Sequence, residues 1–252
     1  MSVDFNGAVV LVTGANGGLG QEWIRQSLER GATKIYATDL QQREWNDERI
    51  VSLVLDITDD ASVTSAAQTA LDTTIVINNA GVAFREPLLT TDDQTMRRVF
   101  DINFFGPVAV SKAFAPVLKN NGGGAILNVT SVLSWLVVPP VYSSAKAALW
   151  MATNALRIEL LPQGTAVVSL HMGYTDTPMT KALNVRKNDP VDVVRAGLDG
   201  IANGAYEVLA DKLSVQVKRA LSEPVEVLYP QLTGSALRFD QQPHILAEQA
   251  LA

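Results

Sequence analysis

The sequence predicts an α/β fold: one doubly wound parallel sheet of about seven strands, covered by helices on both faces. Three observations predict it. Short β-branched runs alternate with longer amphipathic stretches, the pattern of successive βαβ units. Hydrophobic residues make up 47% of the 252 residues and charged residues 18%, enough apolar material to bury a sheet from both sides. The first strand leaves through a glycine-rich turn straight into a helix, the local arrangement of a nucleotide-binding crossover.

Along the chain, strands are expected at Ala8 to Thr13, Lys34 to Thr38, Ile50 to Leu55, Thr74 to Asn78, Ala125 to Thr130, Ala166 to His171 and Tyr206 to Ala210. Helices fill the gaps at Gly18 to Arg30, Asp60 to Ala70, Asp92 to Leu118, Tyr142 to Leu161 and Val191 to Asn203. Two of these carry apolar residues on more than one face: Val99, Phe100, Phe104, Phe105 and Phe114 in the Asp92 helix, and Leu149, Trp150, Met151 and Leu156 in the Tyr142 helix. Such helices need a partner besides the sheet, and a homo-oligomer is expected. Residues 1–233 are read as one dinucleotide-binding and catalytic domain, and 234–252 as a peripheral C-terminal tail.

The formal net charge of -6 and pI near 5.0 repel phosphate backbones and anionic lipid. No Lys/Arg run is longer than Arg97-Arg98, so neither nucleic acid nor a membrane is expected as a partner. The lack of cysteine excludes disulfides, thiolate chemistry and Cys-built zinc sites, and no metal site is read. The N-terminal MSVDFNGAVVLVTG has no basic region ahead of its apolar stretch, and no apolar run approaches the roughly 20 residues that span a bilayer. A soluble cytoplasmic protein is expected.

The run AVVLVTGANGGLG ends a buried strand in a glycine turn and opens a helix, as a Rossmann-type loop does. Gly14 permits the tight turn, Gly18 lets backbone approach a pyrophosphate, and Gly20 lets the helix pack close to the strand. The helix N-terminus then offers N–H groups and partial positive charge to the phosphates. Asp39 closes the second strand 25 residues beyond Gly14, where a carboxylate accepts hydrogen bonds from the adenosine ribose. A 2′-phosphate there would meet that charge. Ala15, Asn16, Gly17, Leu40, Gln41 and Gln42 supply no offsetting cation, Arg43 being the nearest in sequence, so NAD is the expected cofactor. Read singly, the glycine run also fits a bare turn and Asp39 a helix N-cap.

Several features together resemble the short-chain dehydrogenase/reductase family, over the chain up to about residue 210. Thr13-Gly14-x-x-x-Gly18-x-Gly20 is similar to its cofactor loop, Leu55-Asp56-Ile57 to its adenine-contacting segment, and Asn78-Asn79-Ala80-Gly81 to its motif after the fourth strand. Asn103, Ser131 and Tyr142-Ser143-Ser144-Ala145-Lys146 match its four catalytic positions in order. The resemblance implies cofactor contacts from Gly14, Asn16, Gly18, Leu19, Gly20, Asp39, Asp56, Ile57, Asn79, Ala80, Gly81, Tyr142, Lys146, Gly173, Thr175 and Thr177, and a tetramer paired through the two apolar helices. The chain departs from the family pattern in three places. The Ser131 to Tyr142 connection is short and carries Pro139-Pro140; the usual Pro-Gly after strand six is Met172-Gly173; and twelve residues separate Thr177 from Pro190, leaving a short lid.

Hydride leaves an alcohol carbon readily only as its hydroxyl proton departs, so such a site needs a base near the working pH. Free tyrosine, with a pKa of about 10, is too weakly ionised. Lys146 lies one helical turn from Tyr142, and its ammonium, together with the positive nicotinamide of NAD+, is expected to stabilise the phenolate; lowering the pKa by roughly three units takes about 4 kcal/mol. By resemblance, Lys146 also binds the nicotinamide ribose, Ser131 holds the substrate oxygen, and Asn103 anchors a water chain from Lys146 to solvent. The expected activity is hydride transfer between NAD(H) and a secondary alcohol or ketone. Leu133, Trp135, Leu136, Val137, Val138, Tyr174, Met179 and Leu183 are expected around the substrate and are nearly all apolar. A sugar would leave hydroxyls unpaired there at about 1–3 kcal/mol each, so a hydrophobic or aromatic substrate is favoured, with Trp135 stacking on its ring. The alternative is an NAD-binding, non-catalytic sensor of the same fold, which needs the glycine loop but not the Tyr, Lys, Ser and Asn set.

Overall fold

The computed structural model describes residues 1–138 and 140–233. The expected peripheral tail, 234–252, and Pro139 of the expected pocket wall lie outside the described residues. Seven strands, β1 (Val9–Thr13), β2 (Lys34–Asp39), β3 (Ile50–Val54), β4 (Ile75–Asn78), β5 (Gly124–Val129), β6 (Thr165–His171) and β7 (Glu207–Leu209), form one sheet in the order β3-β2-β1-β4-β5-β6-β7. Every pairing is parallel. Parallel neighbours require a crossover, and the right-handed crossovers place helices on both faces. Strand order reverses between β1 and β4, so the chain segments leaving these strands diverge and open a crevice at their C-terminal ends.

Alternation along each strand sorts the core into two layers. Val10 and Val12 face α1 (Gly18–Glu29) and α6 (Pro190–Ala202), packing with Trp23, Ile24, Val194 and Leu198. Leu11, Val76 and Ile126 face the opposite layer of α2 (Asp60–Thr69), α4 (Gly106–Asn120) and α5 (Pro140–Leu160), packing with Val63, Phe114, Leu118 and Leu156. Among the described residues no helix is long and apolar enough to cross a membrane.

The single helix expected from Asp92 to Leu118 is interrupted. Asp92 caps α3 (Asp93–Phe100) by accepting from the Thr95 N–H at 2.8 Å. A π-helical turn, Asp101–Phe105, follows before α4 begins. The Gly106 N–H reaches back five residues to the Asp101 carbonyl, and Pro107 has no N–H with which to restore the four-residue spacing. Two short helices beyond β7 were not expected: α7 (Lys212–Ala220) and α8 (Val225–Leu228). Asp211 caps α7 through the Ser214 N–H at 2.7 Å, a start signal visible in the sequence.

A polar row crosses the apolar centre. The Asn78 amide donates to Asn128 Oδ1 at 2.8 Å and to Ser111 Oγ at 3.0 Å, and the Asn128 amide donates to Thr153 Oγ1 at 2.9 Å. All four residues are buried, so β4 and β5 are tied to α4 and α5 by groups that have no water to turn to. Asn128→Ala is expected to lower the unfolding free energy by about 1–3 kcal/mol, the cost of leaving buried partners unpaired. Urea denaturation measures it, and a change within about 0.5 kcal/mol would show that the row holds nothing together.

Candidate active site

The strand ends carry their loops to one side of the sheet, where a cleft of about 1850 Å³ opens. Its floor begins at the glycine loop. Gly14 adopts a left-handed φ of 65°, and a Cβ on Gly20 would lie 2.2 Å from the Gly14 carbonyl oxygen, so the turn and the close helix packing both exclude side chains. Gly14, Gly18 and Leu19 line the cleft. Gly20 sits behind them, and Asn16 turns outward, its amide donating to the Gln41 carbonyl at 2.9 Å.

Asn79 couples this loop to the segment after β4. Its amide donates to the Thr13 and Gly14 carbonyls at 2.9 and 3.1 Å, its Oδ1 accepts from the Trp23 indole at 3.2 Å, and Thr13 Oγ1 accepts from the Asn79 and Ala80 N–H groups. Asp39 faces the cleft and accepts from the Asn16 and Leu40 N–H groups at 3.0 and 2.8 Å. Arg43, the nearest cation in sequence, lies with its guanidinium over the Trp45 ring at 4.8 Å and does not line the cleft. Asp56 and Ile57 line it next, with Asp56 holding the Thr58 N–H and hydroxyl. These residues fit a nicotinamide dinucleotide: backbone free of Cβ atoms at the helix N-terminus, then a carboxylate at the end of the second strand.

Deeper in, Ser131, Tyr142 and Lys146 line the same cleft. Lys146, on α5, is 3% exposed; its Nζ donates to the Val129 carbonyl at 2.9 Å and lies 5.6 Å from the centre of the Tyr142 ring. Asn103 lies in the π-helical turn behind Gly81. Its amide donates to the Val82 and Val99 carbonyls at 2.9 and 3.0 Å, while Oδ1 is buried with no hydrogen-bond partner among the described residues. A Cβ on Gly81 would meet Asn103 Oδ1 at 2.9 Å and Lys146 Nζ at 3.7 Å, so these two groups face the same small space.

The expected pull of Lys146 on the Tyr142 phenol is not what the protein alone produces. Burial pushes the Tyr142 pKa well up, against a lowering hydrogen bond from Ser131. Burial also draws the Lys146 ammonium down to about 8. For both groups burial is the largest cause, because taking either charge out of water costs more than the neighbouring groups return.

On the far side, Asp211 gathers three segments. Its Oδ2 accepts from the Gly173 N–H and the Asn188 amide, each at 2.6 Å, while Oδ1 caps α7. The lid folds back as Asn188 N–H meets the Tyr174 carbonyl at 2.7 Å and the Asp176 N–H meets the Asn188 carbonyl at 3.0 Å. Gly173, Tyr174, Thr175, Thr177 and Met179 line the cleft, as do Leu133, Leu136 and Val138. Trp135 is a correction. It is buried with Val132, Leu136 and Val217 and stacked on His171, ring centres 4.0 Å apart, so it has no face to offer a substrate. Val137 is exposed and, like Leu183, does not line the cleft. Sequence reasoning named Met172 only as a departure from the family pattern and passed over Arg85 and Asp211, and all three line the cleft; of the two passed over, Asp211 carried a signal, as a helix N-cap.

Residues 8–188 match the family described as short chain dehydrogenase. Galactitol 2-dehydrogenase (L-tagatose-forming) of Cereibacter sphaeroides is 34% identical over 72% of this chain and 76% of its own length. Dehydrogenase/reductase SDR family member 7B of Xenopus tropicalis is 32% identical over 69% of this chain, which spans 62% of that protein. A short chain dehydrogenase from Burkholderia cenocepacia J2315, crystallised in complex with NADP, superimposes with a TM-score of 0.86 at 34% identity, covering 92% of this chain and 99% of that one.

The buried ammonium sets a stability test. With a folded pKa near 8 against 10.5 unfolded, the unfolded chain binds more protons between those values, so the Lys146 penalty is full below pH 8 and fades as pH rises to 10.5. Lys146→Met is therefore expected to stabilise the cofactor-free protein at pH 7 by about 1–3 kcal/mol, with a smaller gain at pH 10. Denaturation at the two pH values checks it, and destabilisation at pH 7 would contradict it.

Proposed function

The chain belongs to the short chain dehydrogenase family, and from that premise we propose that it moves a hydride between NAD(H) and a secondary alcohol or ketone, preferring hydrophobic and aromatic ones. The observation that carries this reading is the convergence of Ser131, Tyr142 and Lys146 on the cleft that Asp39 and the glycine loop also line. Gly14, Gly18, Asp39, Asp56, Ile57, Ala80, Gly81, Gly173, Thr175 and Thr177 would hold the cofactor, with Asn79 bracing their loops. When bound, the nicotinamide supplies the hydride chemistry. Tyr142 takes the proton of the alcohol in oxidation and returns it to the carbonyl oxygen in reduction. Ser131 donates a hydrogen bond to that oxygen as charge develops on it. Lys146 holds positive charge one helical turn from the phenol, and Asn103 Oδ1 offers an acceptor on the same side for proton exchange with solvent.

The NAD preference rests on Asp39, whose carboxylate would face a 2′-phosphate while Arg43 is drawn to Trp45. The Burkholderia relative, bound to NADP, makes cofactor choice a direct test. The substrate preference rests on Leu133, Leu136, Val138, Met172 and Met179, whose burial against an aryl or alkyl group gains about 25 cal/mol per Å². The name of the Cereibacter relative supplies the opposing arm, galactitol. The exposed Met151, Ile158 and Leu161 of α5 and its end, at 61, 74 and 54% exposure, are the face through which we propose that copies pack into a homotetramer.

Initial rates with NAD+ and NADP+ against an aryl alkyl carbinol and galactitol test the chemistry. Catalytic efficiency is expected to be highest with NAD+ and the carbinol, Asp39→Ala to narrow the gap between cofactors, and Tyr142→Phe to lose about a hundredfold or more in every arm. NADP+ matching NAD+, or galactitol outrunning the carbinol, overturns the corresponding preference; no NADH formation in any arm returns the sensor. Light scattering at micromolar concentration is expected to report four chains, and a monomer mass would refute the assembly.

A further inference from the structure

A second buried cluster stands directly behind Ser131, and none of its side chains takes part in the chemistry above. His171, the last residue of β6, is fully buried. Its Nδ1 lies 3.0 Å from the Ser131 carbonyl oxygen. A carbonyl only accepts, so this contact requires the proton on Nδ1 and leaves Nε2 a bare lone pair. The surroundings agree: Nε2 has no hydrogen-bond partner among the described residues, and burial holds the His171 pKa down to about 4, so the ring is neutral.

Among the described residues, the group that would draw the proton across the ring is Glu207, whose Oε1 is 3.9 Å from Nε2. It is occupied elsewhere. Glu207 accepts from the Trp150 indole at 2.6 Å and pairs with Lys218 Nζ at 2.9 Å. Lys218 in turn lies over both the Trp135 and Trp150 rings, at 4.8 and 4.7 Å. Trp135 stacks on the imidazole with planes 14° apart and fixes its tilt. Arg157, the other cation whose field reaches His171, is spent on the Val167 and Tyr206 carbonyls. The Ser131 side chain is also held: its Oγ accepts from the Leu133 N–H at 3.1 Å and its hydroxyl makes a long bond, 3.4 Å, to the Met172 carbonyl, which a substrate oxygen would replace.

We propose that His171 is a positioning residue: its Nδ1–H holds the Ser131 peptide so that the serine hydroxyl faces Tyr142, and the Glu207–Lys218 pair, by engaging the carboxylate, keeps the imidazole in the tautomer that does so. This rests on the reading of Ser131 as the donor to the substrate oxygen. The effect should be felt in the transition state, where that oxygen carries charge, and so in kcat more than in KM.

The test compares two nearly isosteric replacements. His171→Asn and His171→Leu both lose the stack on Trp135, but only the asparagine amide can donate to the Ser131 carbonyl. His171→Leu is expected to lower kcat about tenfold or more with KM changed less than about threefold. His171→Asn is expected to keep kcat within about threefold of the wild type, with NADH affinity alike in both variants. Equal losses in the two variants, or a loss confined to KM, overturn the proposal. A second measurement needs neither turnover nor a folded variant: long-range 1H–15N spectra of the 15N-labelled wild-type protein, in which His171 is one of two histidines. A ring protonated at Nδ1 alone is expected at neutral pH; an Nε2–H tautomer or an imidazolium overturns the proposal even if the dehydrogenase reading itself fails for want of activity.

Discussion

The elements that carry the site meet along the buried row Asn78, Asn128, Thr153 and Ser111, and the geometry of the cleft depends on it. In an apolar core an unmatched amide is expensive enough that strand register and helix rotation are fixed together. Turning α5 by one residue would swing its side chains by about 100°, carrying Thr153 off the Asn128 amide and Tyr142 and Lys146 off the cleft. Register between β4 and β5, where Asn78 lies opposite Asn128, likewise decides where Ala80 and Ser131 emerge. The Asn79 side chain extends the same logic to β1, fastening Thr13 and Gly14 to the segment after β4.

Around that frame the protein holds two ionisable groups where water is scarce. Tyr142 and Lys146 are both pushed toward their neutral forms by burial; at neutral pH this costs stability through Lys146 alone, because the phenol is neutral in the unfolded chain as well. The same shortage of water strengthens any charge interaction formed inside the cleft. Ionisable groups displaced in this way by burial in a cleft mark a candidate functional site.

The site also has a back wall. Asp211 gathers Gly173, Asn188 and the start of α7 into one knot, while His171, Trp135 and the Glu207–Lys218 pair fill the space beneath Ser131. The floor beside Ser131 and Tyr142 is therefore made of contacts between β5, β6, β7 and α7, all in the second half of the described chain. The short lid needs no long arm of its own, because Asn188 folds it back on Tyr174.

The parallel sheet, the glycine turn and the Tyr142/Lys146 pair were legible in the sequence because each follows from local constraints: strand and helix periods, a left-handed glycine, and residues one turn apart on a helix. All seven strands lie where the alternation of apolar runs placed them. The break in the Asp92 to Leu118 helix was not legible, since a π-helical turn changes one hydrogen-bond spacing while leaving the apolar pattern nearly intact. Nor was the burial of Trp135: the segment after β5 is a single 3-10 turn, Val132–Ser134, with too few residues for any period to say which side each one faces. His171 and Asp211 acquire their partners at separations of 40 and 38 residues. Sequence by itself determined the class of fold and singled out the residues proposed for the chemistry; tertiary structure alone decided which apolar side chains reach the cleft and which polar ones brace it, because those contacts join strands and loops brought together only when the sheet closes its core.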